Sequence, residues 1–98
     1  MILRAVRVTV RGVVQGVGFR WFVSREAGRL GLGGWVANIA DGSVEVYAEG
    51  PAADVDLLLT ALREGPPGAF VSSIALLEQI PSGSYARFEI HSGAHPGD

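Results

Sequence analysis

Over residues 4–11 the chain alternates strictly, with Val6, Val8 and Val10 on one side and Arg7, Thr9 and Arg11 on the other. A two-residue period predicts a strand buried on one face. From residue 20 to 30 the period lengthens: Phe19, Phe22, Val23, Ala27 and Leu30 recur at helical spacing, Ser24, Arg25 and Arg29 fall opposite, and Gly31 is a natural stop. Residues 34–39 and 43–49 read as two strands around Asp41-Gly42, a dipeptide that favours a two-residue hairpin turn with positive φ at both positions. Taken literally, that turn pairs Ile39 with Val44, Ala37 with Val46 and Trp35 with Ala48. It directs Trp35 inward and leaves Val36 and Asn38 on the opposite face, Asn38 beside Glu45.

Gly50-Pro51 opens a second helix whose apolar stripe is Val55, Leu58, Leu59 and Leu62, and Gly65-Pro66-Pro67-Gly68 ends it. Residues 70–80 read as a fourth strand with Ile74 and Leu76 on one face. Phe88 and Ile90 mark a short last strand, and residues 92–98 a loose tail. The order β-α-β-β-α-β with a short extra strand predicts an α+β, ferredoxin-like sandwich with two helices on one face of an antiparallel sheet. A single domain over residues 1–98 is expected, with its core at about 4–91. Right-handed crossovers place strands one and two parallel with strand three between them. The segment after strand one then emerges at the end of strand two, near Asn38, two inter-strand spacings or roughly 10 Å away.

That segment carries the candidate chemistry. Gly12-Val13-Val14-Gln15-Gly16-Val17-Gly18-Phe19-Arg20 leaves a strand, bends at three glycines and enters a helix. Glycines let consecutive N–H groups turn inward, and the helix start adds unpaired donors and the positive end of its dipole. The backbone of Gln15, Gly16, Val17, Gly18, Phe19 and Arg20 thus reads as a phosphate-binding loop. Arg20 adds a planar fork of donors suited to phosphate oxygens. No Lys-Ser or Lys-Thr follows Gly18, and the third glycine of a dinucleotide fingerprint is missing, so two better-known phosphate loops are excluded. Asn38 lies in a strand, where asparagine is disfavoured, and its amide can orient a water. Its bland alternative is a solvated residue beside a turn.

Composition narrows the partners. Hydrophobic residues make up 48% and charged residues 18%, the balance of a globular domain rather than a disordered chain. Eight basic against ten acidic residues give a net charge of -2, which argues against a surface built to neutralise many nucleic-acid phosphates. With no cysteine there is no disulfide, thiolate nucleophile or cysteine-held metal, and a reducing cytoplasm is the expected location. No signal-peptide core and no span of roughly 20 apolar residues is present. His91 and His95 near the C-terminal end do not make a metal site, and no metal or cofactor is expected. Glu45 and Glu49 read as polar residues on the wet side of the hairpin, Ser24 lacks triad partners, and Trp21 reads as packing.

Two segments resemble the acylphosphatase family, small ferredoxin-like enzymes that hydrolyse the carboxyl-phosphate bond. One runs from Val10 to Arg20 and includes Gly12, Val14-Gln15-Gly16-Val17 and Phe19-Arg20. The other is Gly34-Trp35-Val36-Ala37-Asn38, followed by Gly42, Val44 and Gly50. The resemblance implies that Arg20 is the phosphate-binding catalytic arginine and that Asn38 orients the attacking water. Ala37 stands where the family commonly carries a longer basic or polar residue. The expected reaction is metal-free, in-line attack of water on phosphorus by a monomeric enzyme, with inorganic phosphate as product and inhibitor. Two other readings are a non-catalytic phosphate-binding or carbamoyl-phosphate-handling module and a ferredoxin-like RNA-binding module. The RNA-binding reading calls for exposed aromatics with basic neighbours on the central strands.

Overall fold

The computed structural model describes residues 1–91; the tail assigned to 92–98, with His95, lies outside the described residues. The alternation at the start of the chain becomes β1 (Leu3–Val13), with Val6, Val8 and Val10 fully buried and Arg7 exposed. Then follow α1 (Phe19–Arg29), β2 (Gly33–Asn38), β3 (Val44–Pro51), α2 (Ala52–Glu64), β4 (Phe70–Gln79) and β5 (Phe88–His91). They form one sheet of order β4-β1-β3-β2-β5 with both helices on one face, the ferredoxin-like arrangement expected. β1 and β2 each pair antiparallel with β3 and so run parallel to each other. The short last strand departs from the antiparallel expectation. β5 pairs parallel to β2, Gly34 opposite Phe88 and Val36 opposite Ile90, so the sheet is mixed.

α1 ends as its sequence predicts. Gly31 takes φ +70°, with hydrogen bonds from the Leu32 N–H to the Ala27 carbonyl and from the Gly31 N–H to the Gly28 carbonyl, the bonding of a Schellman motif. α1 buries Phe19, Val23 and Ala27, and α2 buries Val55, Leu58, Leu59 and Leu62. These meet Val6, Val8, Val10, Val36, Val44, Val46 and Ala48 of the sheet in one core. Each of the Val, Leu and Phe side chains among them stabilises the fold by about 1.5–3 kcal/mol on burial, before its loss of rotamer freedom is counted.

The hairpin between β2 and β3 corrects the expected register. Ile39 donates to the Ser43 carbonyl (2.9 Å) and Gly42 donates to the Ile39 carbonyl (3.0 Å), so the loop holds three residues, Ala40, Asp41 and Gly42. Asn38 faces Val44, Val36 faces Val46 and Trp35 faces Tyr47. A shift of one residue exchanges the faces of a strand. Val36 therefore enters the helix-covered core, while Trp35 and Ala37 join Ala5 and Tyr47 in a second cluster on the other face, flanked by Ile39 and Tyr85. Trp35 stacks there on Tyr47 and on His91, at 6.4 and 5.3 Å between ring centroids, with the Arg7 guanidinium 5.3 Å from its own ring.

Glu49 is likewise not a wet residue. Only 8% exposed, it accepts hydrogen bonds from Tyr47 Oη (2.6 Å), Ser82 Oγ (2.7 Å), Ser82 N (3.1 Å) and Gly83 N (2.8 Å). It thus ties the 82–83 turn to the sheet. Burial would push its carboxyl up, but these donors outweigh burial and hold it below the usual carboxylate range. Glu45 forms an ion pair with Arg7 at 3.0 Å.

Candidate active site

β1 delivers the chain at Val13, and residues 14–18 carry it across the sheet end to α1. Gly16 has φ +75° and Gly18 φ +77°, and among the described residues no non-glycine residue has positive φ. The sign of φ therefore alternates from Gln15 to Phe19, the backbone pattern that turns successive N–H groups toward one concave side. A Cβ at Gly16 or Gly18 would meet nothing within 4 Å, so glycine is needed there for its conformation rather than for space. Gly18 caps α1 with no side-chain hydrogen bond, and the first turn carries no acidic residue. Nothing anionic of the helix's own competes for the positive end of its dipole.

The Gln15 side chain takes a role that its sequence did not signal. Its Nε2 donates to the carbonyls of Ile39 (2.8 Å) and Ser43 (2.9 Å), clamping the loop to the hairpin. Only the backbone of Gln15 remains a candidate for anion contact. Val17 packs against the core, which anchors the middle of the loop.

A cavity of about 220 Å³ opens beside this loop, walled by Gly16, Gly18, Arg20, Trp21, Asn38 and Ile90, with Val14 and Phe19 behind them. Its volume falls below the roughly 300–1,000 Å³ of pockets that enclose drug-sized ligands. Arg20 comes from the first turn of α1, half-buried, and its Nη1 donates to the His91 carbonyl at 3.1 Å. Asn38 comes from the end of β2, also half-buried. The corrected register decides its position, since the expected pairing would have turned it to the face away from α1. Of the proposed site residues, Gly16, Gly18, Phe19, Arg20 and Asn38 thus line one cavity, while Gln15 and Val17 support it from outside.

Three contributors escaped the sequence reading. Trp21, expected to pack, is 60% exposed at the cavity wall. Ile90 and the His91 carbonyl arrive on β5, whose parallel docking no local pattern foretells. Ala37, by contrast, is fully buried on the other face and does not reach the cavity. The aromatics Trp35 and Tyr47 are buried too, so the central strands lack the exposed ring platform of an RNA-binding sheet.

Among the described residues no group of three or more His, Cys, Asp or Glu could hold a metal ion, and no helix is long and apolar enough to cross a membrane.

The acylphosphatase family profile matches residues 6–90. An acylphosphatase of Burkholderia ambifaria is 51% identical over 82 residues, covering 84% of both chains. The crystal structure of acylphosphatase from Bacillus subtilis superposes with a TM-score of 0.87 at 41% identity, over 93% of this chain and 100% of that one. HypF of T. kodakarensis contains a similar unit, with a TM-score of 0.80 and 35% identity over 92% of this chain but 12% of its own.

Proposed function

The chain belongs to the acylphosphatase family, and from that premise we propose that it hydrolyses acyl phosphates to a carboxylate and inorganic phosphate in the cavity beside Arg20. One observation carries this reading. The φ-alternating loop, the open N-terminus of α1, the Arg20 guanidinium and the Asn38 amide, from separate parts of the chain, all border one small cavity.

The chemistry follows from what each group can do. Loop and first-turn N–H groups hold the phosphoryl oxygens, and Arg20 stabilises the charge they carry in the transition state. Asn38 orients a water on the face of phosphorus opposite the acyl oxygen. The water oxygen bonds to phosphorus as the bond from phosphorus to the acyl oxygen breaks, the carboxylate leaves with that electron pair, and the water proton passes to a phosphate oxygen or to solvent. Carboxylate is a good leaving group and the transition state is loose, so positioning and charge stabilisation suffice without a strong general base. The same groups neutralise the phosphoryl charge without an ion, which makes the proposed route metal-free.

Phosphate release from benzoyl phosphate by purified protein in chelator tests the assignment. Turnover is expected. A folded protein that binds inorganic phosphate yet releases none would be a non-catalytic anion-binding module. The reading includes a single domain acting as a cytoplasmic monomer on a small-molecule substrate, without nucleic-acid or membrane partners. A cysteine-free sequence fits a reducing compartment, and a net charge of -2 offers no broad basic surface. Light scattering that gave the mass of two chains would overturn the monomer.

A further inference from the structure

α1 turns Phe19, Val23 and Ala27 to the core. Trp21, two residues beyond Phe19, lies about 200° round the helix and faces away from the sheet. It is 60% exposed, yet it walls the phosphoryl cavity together with Ile90 of β5, itself 42% exposed. Single exposed apolar side chains are ordinary. Two of them, from different elements and at the same small cavity, make an apolar rim. The Trp21 ring is also held in place, because the Arg25 guanidinium, one turn further along α1, lies 4.6 Å from its centroid.

The substrate's covalent structure gives that rim a task. The acyl carbon is joined to phosphorus through one oxygen, so a phosphoryl group on the loop holds its acyl group within two bonds' reach. A cavity of about 220 Å³ leaves little room to enclose a large acyl group, which must lie against the exposed wall. Building on the acylphosphatase reading above, we propose that Trp21 and Ile90 form the acyl subsite and that this subsite favours acyl phosphates with aromatic or bulky apolar acyl groups. Apolar contact with Trp21 forms in the ground state and persists in the transition state. It therefore acts on KM more than on kcat.

The test compares benzoyl phosphate with acetyl phosphate, which share the phosphoryl group and the reaction and differ in the group that would cover Trp21. Trp21→Ala should lower the benzoyl-to-acetyl ratio of kcat/KM by about 10-fold, the low end of what a lost apolar contact does to discrimination, and chiefly through the benzoyl phosphate KM. Trp21→Phe keeps an aromatic wall and should hold the ratio within about threefold of wild type. The exposure of Trp21 makes both variants compatible with the fold. An unchanged ratio in Trp21→Ala, whatever happens to absolute rates, would overturn the subsite and leave the acylphosphatase reading standing. Wild type inactive on both substrates would overturn both.

Discussion

Arg20 and His91 join α1 to β5: Arg20 Nη1 donates to the His91 backbone carbonyl at 3.1 Å. The guanidinium of α1 is thereby oriented by the last residue of β5, whose ring stacks on Trp35 on the far face of the sheet with only 10° between planes. The strand end is fixed by aromatic packing on one side and hands a carbonyl to the arginine on the other. Such backbone support fits a group that must be preorganised before charge develops.

Arg20→Ala should lower kcat/KM for benzoyl phosphate by at least about 100-fold, the scale of losing one preorganised stabilising group. Arg20→Lys should fail comparably, since an ammonium keeps the charge but not the planar fork that reaches the His91 carbonyl and phosphate together. Near-normal kcat/KM in folded Arg20→Ala would remove the arginine from the mechanism.

Asn38 and Arg20 should separate by role. Asn38→Ala is expected to lower kcat by about 100-fold while competitive inhibition by inorganic phosphate stays within a few-fold of wild type, because loop and arginine remain. Arg20→Ala should weaken phosphate inhibition as well. Equal loss of phosphate affinity in both variants would assign Asn38 to the anion cradle instead.

Gly18 of the loop and Gly12 of β1 should divide between activity and stability. An alanine Cβ at Gly18 has open space but a φ of +77°, which costs about 1–2 kcal/mol and, if relieved, rotates the first N–H groups of α1 out of place. At Gly12, where β1 bulges against β4, the Cβ would lie 2.0 Å from the Phe70 carbonyl oxygen. Gly12→Ala should therefore lower Tm more than Gly18→Ala, and Gly18→Ala should lose more kcat/KM per degree of Tm lost.

Glu49 and Asp41 contribute to the acid limb of stability, as does Glu78 beside Arg4. Glu49 is held below its ordinary value of 4.5. Asp41, with donors from Ser43 and from Arg11, is lowered from 3.8 to about 2. A depressed folded-state pKa adds stability above the unfolded value, and that stability is lost as pH falls through the folded value. Urea midpoints followed from neutral pH down to about 2 should fall in wild type, and Glu49→Gln and Asp41→Asn should each flatten the fall. Glu49→Ala, which strands the donors of Tyr47, Ser82 and Gly83, should cost about 2–4 kcal/mol at neutral pH.

Chelation should leave turnover within about twofold, because charge stabilisation is assigned to amides and Arg20. Activity lost on dialysis against chelator and restored by magnesium or zinc would replace the proposed mechanism.

The order of elements, the strand and helix periods, the glycine-marked loop and the candidacy of Arg20 and Asn38 are legible along the chain, because each is a local pattern. A period of two or of 3.6 needs no partner to be read, and positive φ leaves its mark as glycine at positions 16 and 18. The exposure of Trp21 is not legible there, because one turn of helix does not show how deep its outward side chain sits.

Tertiary packing decided the faces. Asp41-Gly42 suits either a two-residue turn or a three-residue turn closed by glycine, and the dipeptide does not distinguish them. The shorter turn would force Asp41 to positive φ; in the folded protein only Gly42 takes it, at +92°, while Asp41 accepts hydrogen bonds from Ser43 N (2.9 Å) and Oγ (2.6 Å). That one added residue puts Val36 against Val46 in the core and carries Asn38 to the helix face, beside the loop. The docking of β5, which brings the His91 carbonyl to Arg20, is equally nonlocal. Local sequence could name Arg20 and Asn38 as candidates, but only the burial of one strand face against two helices could bring Asn38 to the cavity that Arg20 lines, since a register shift of one residue reverses every side chain of the strand.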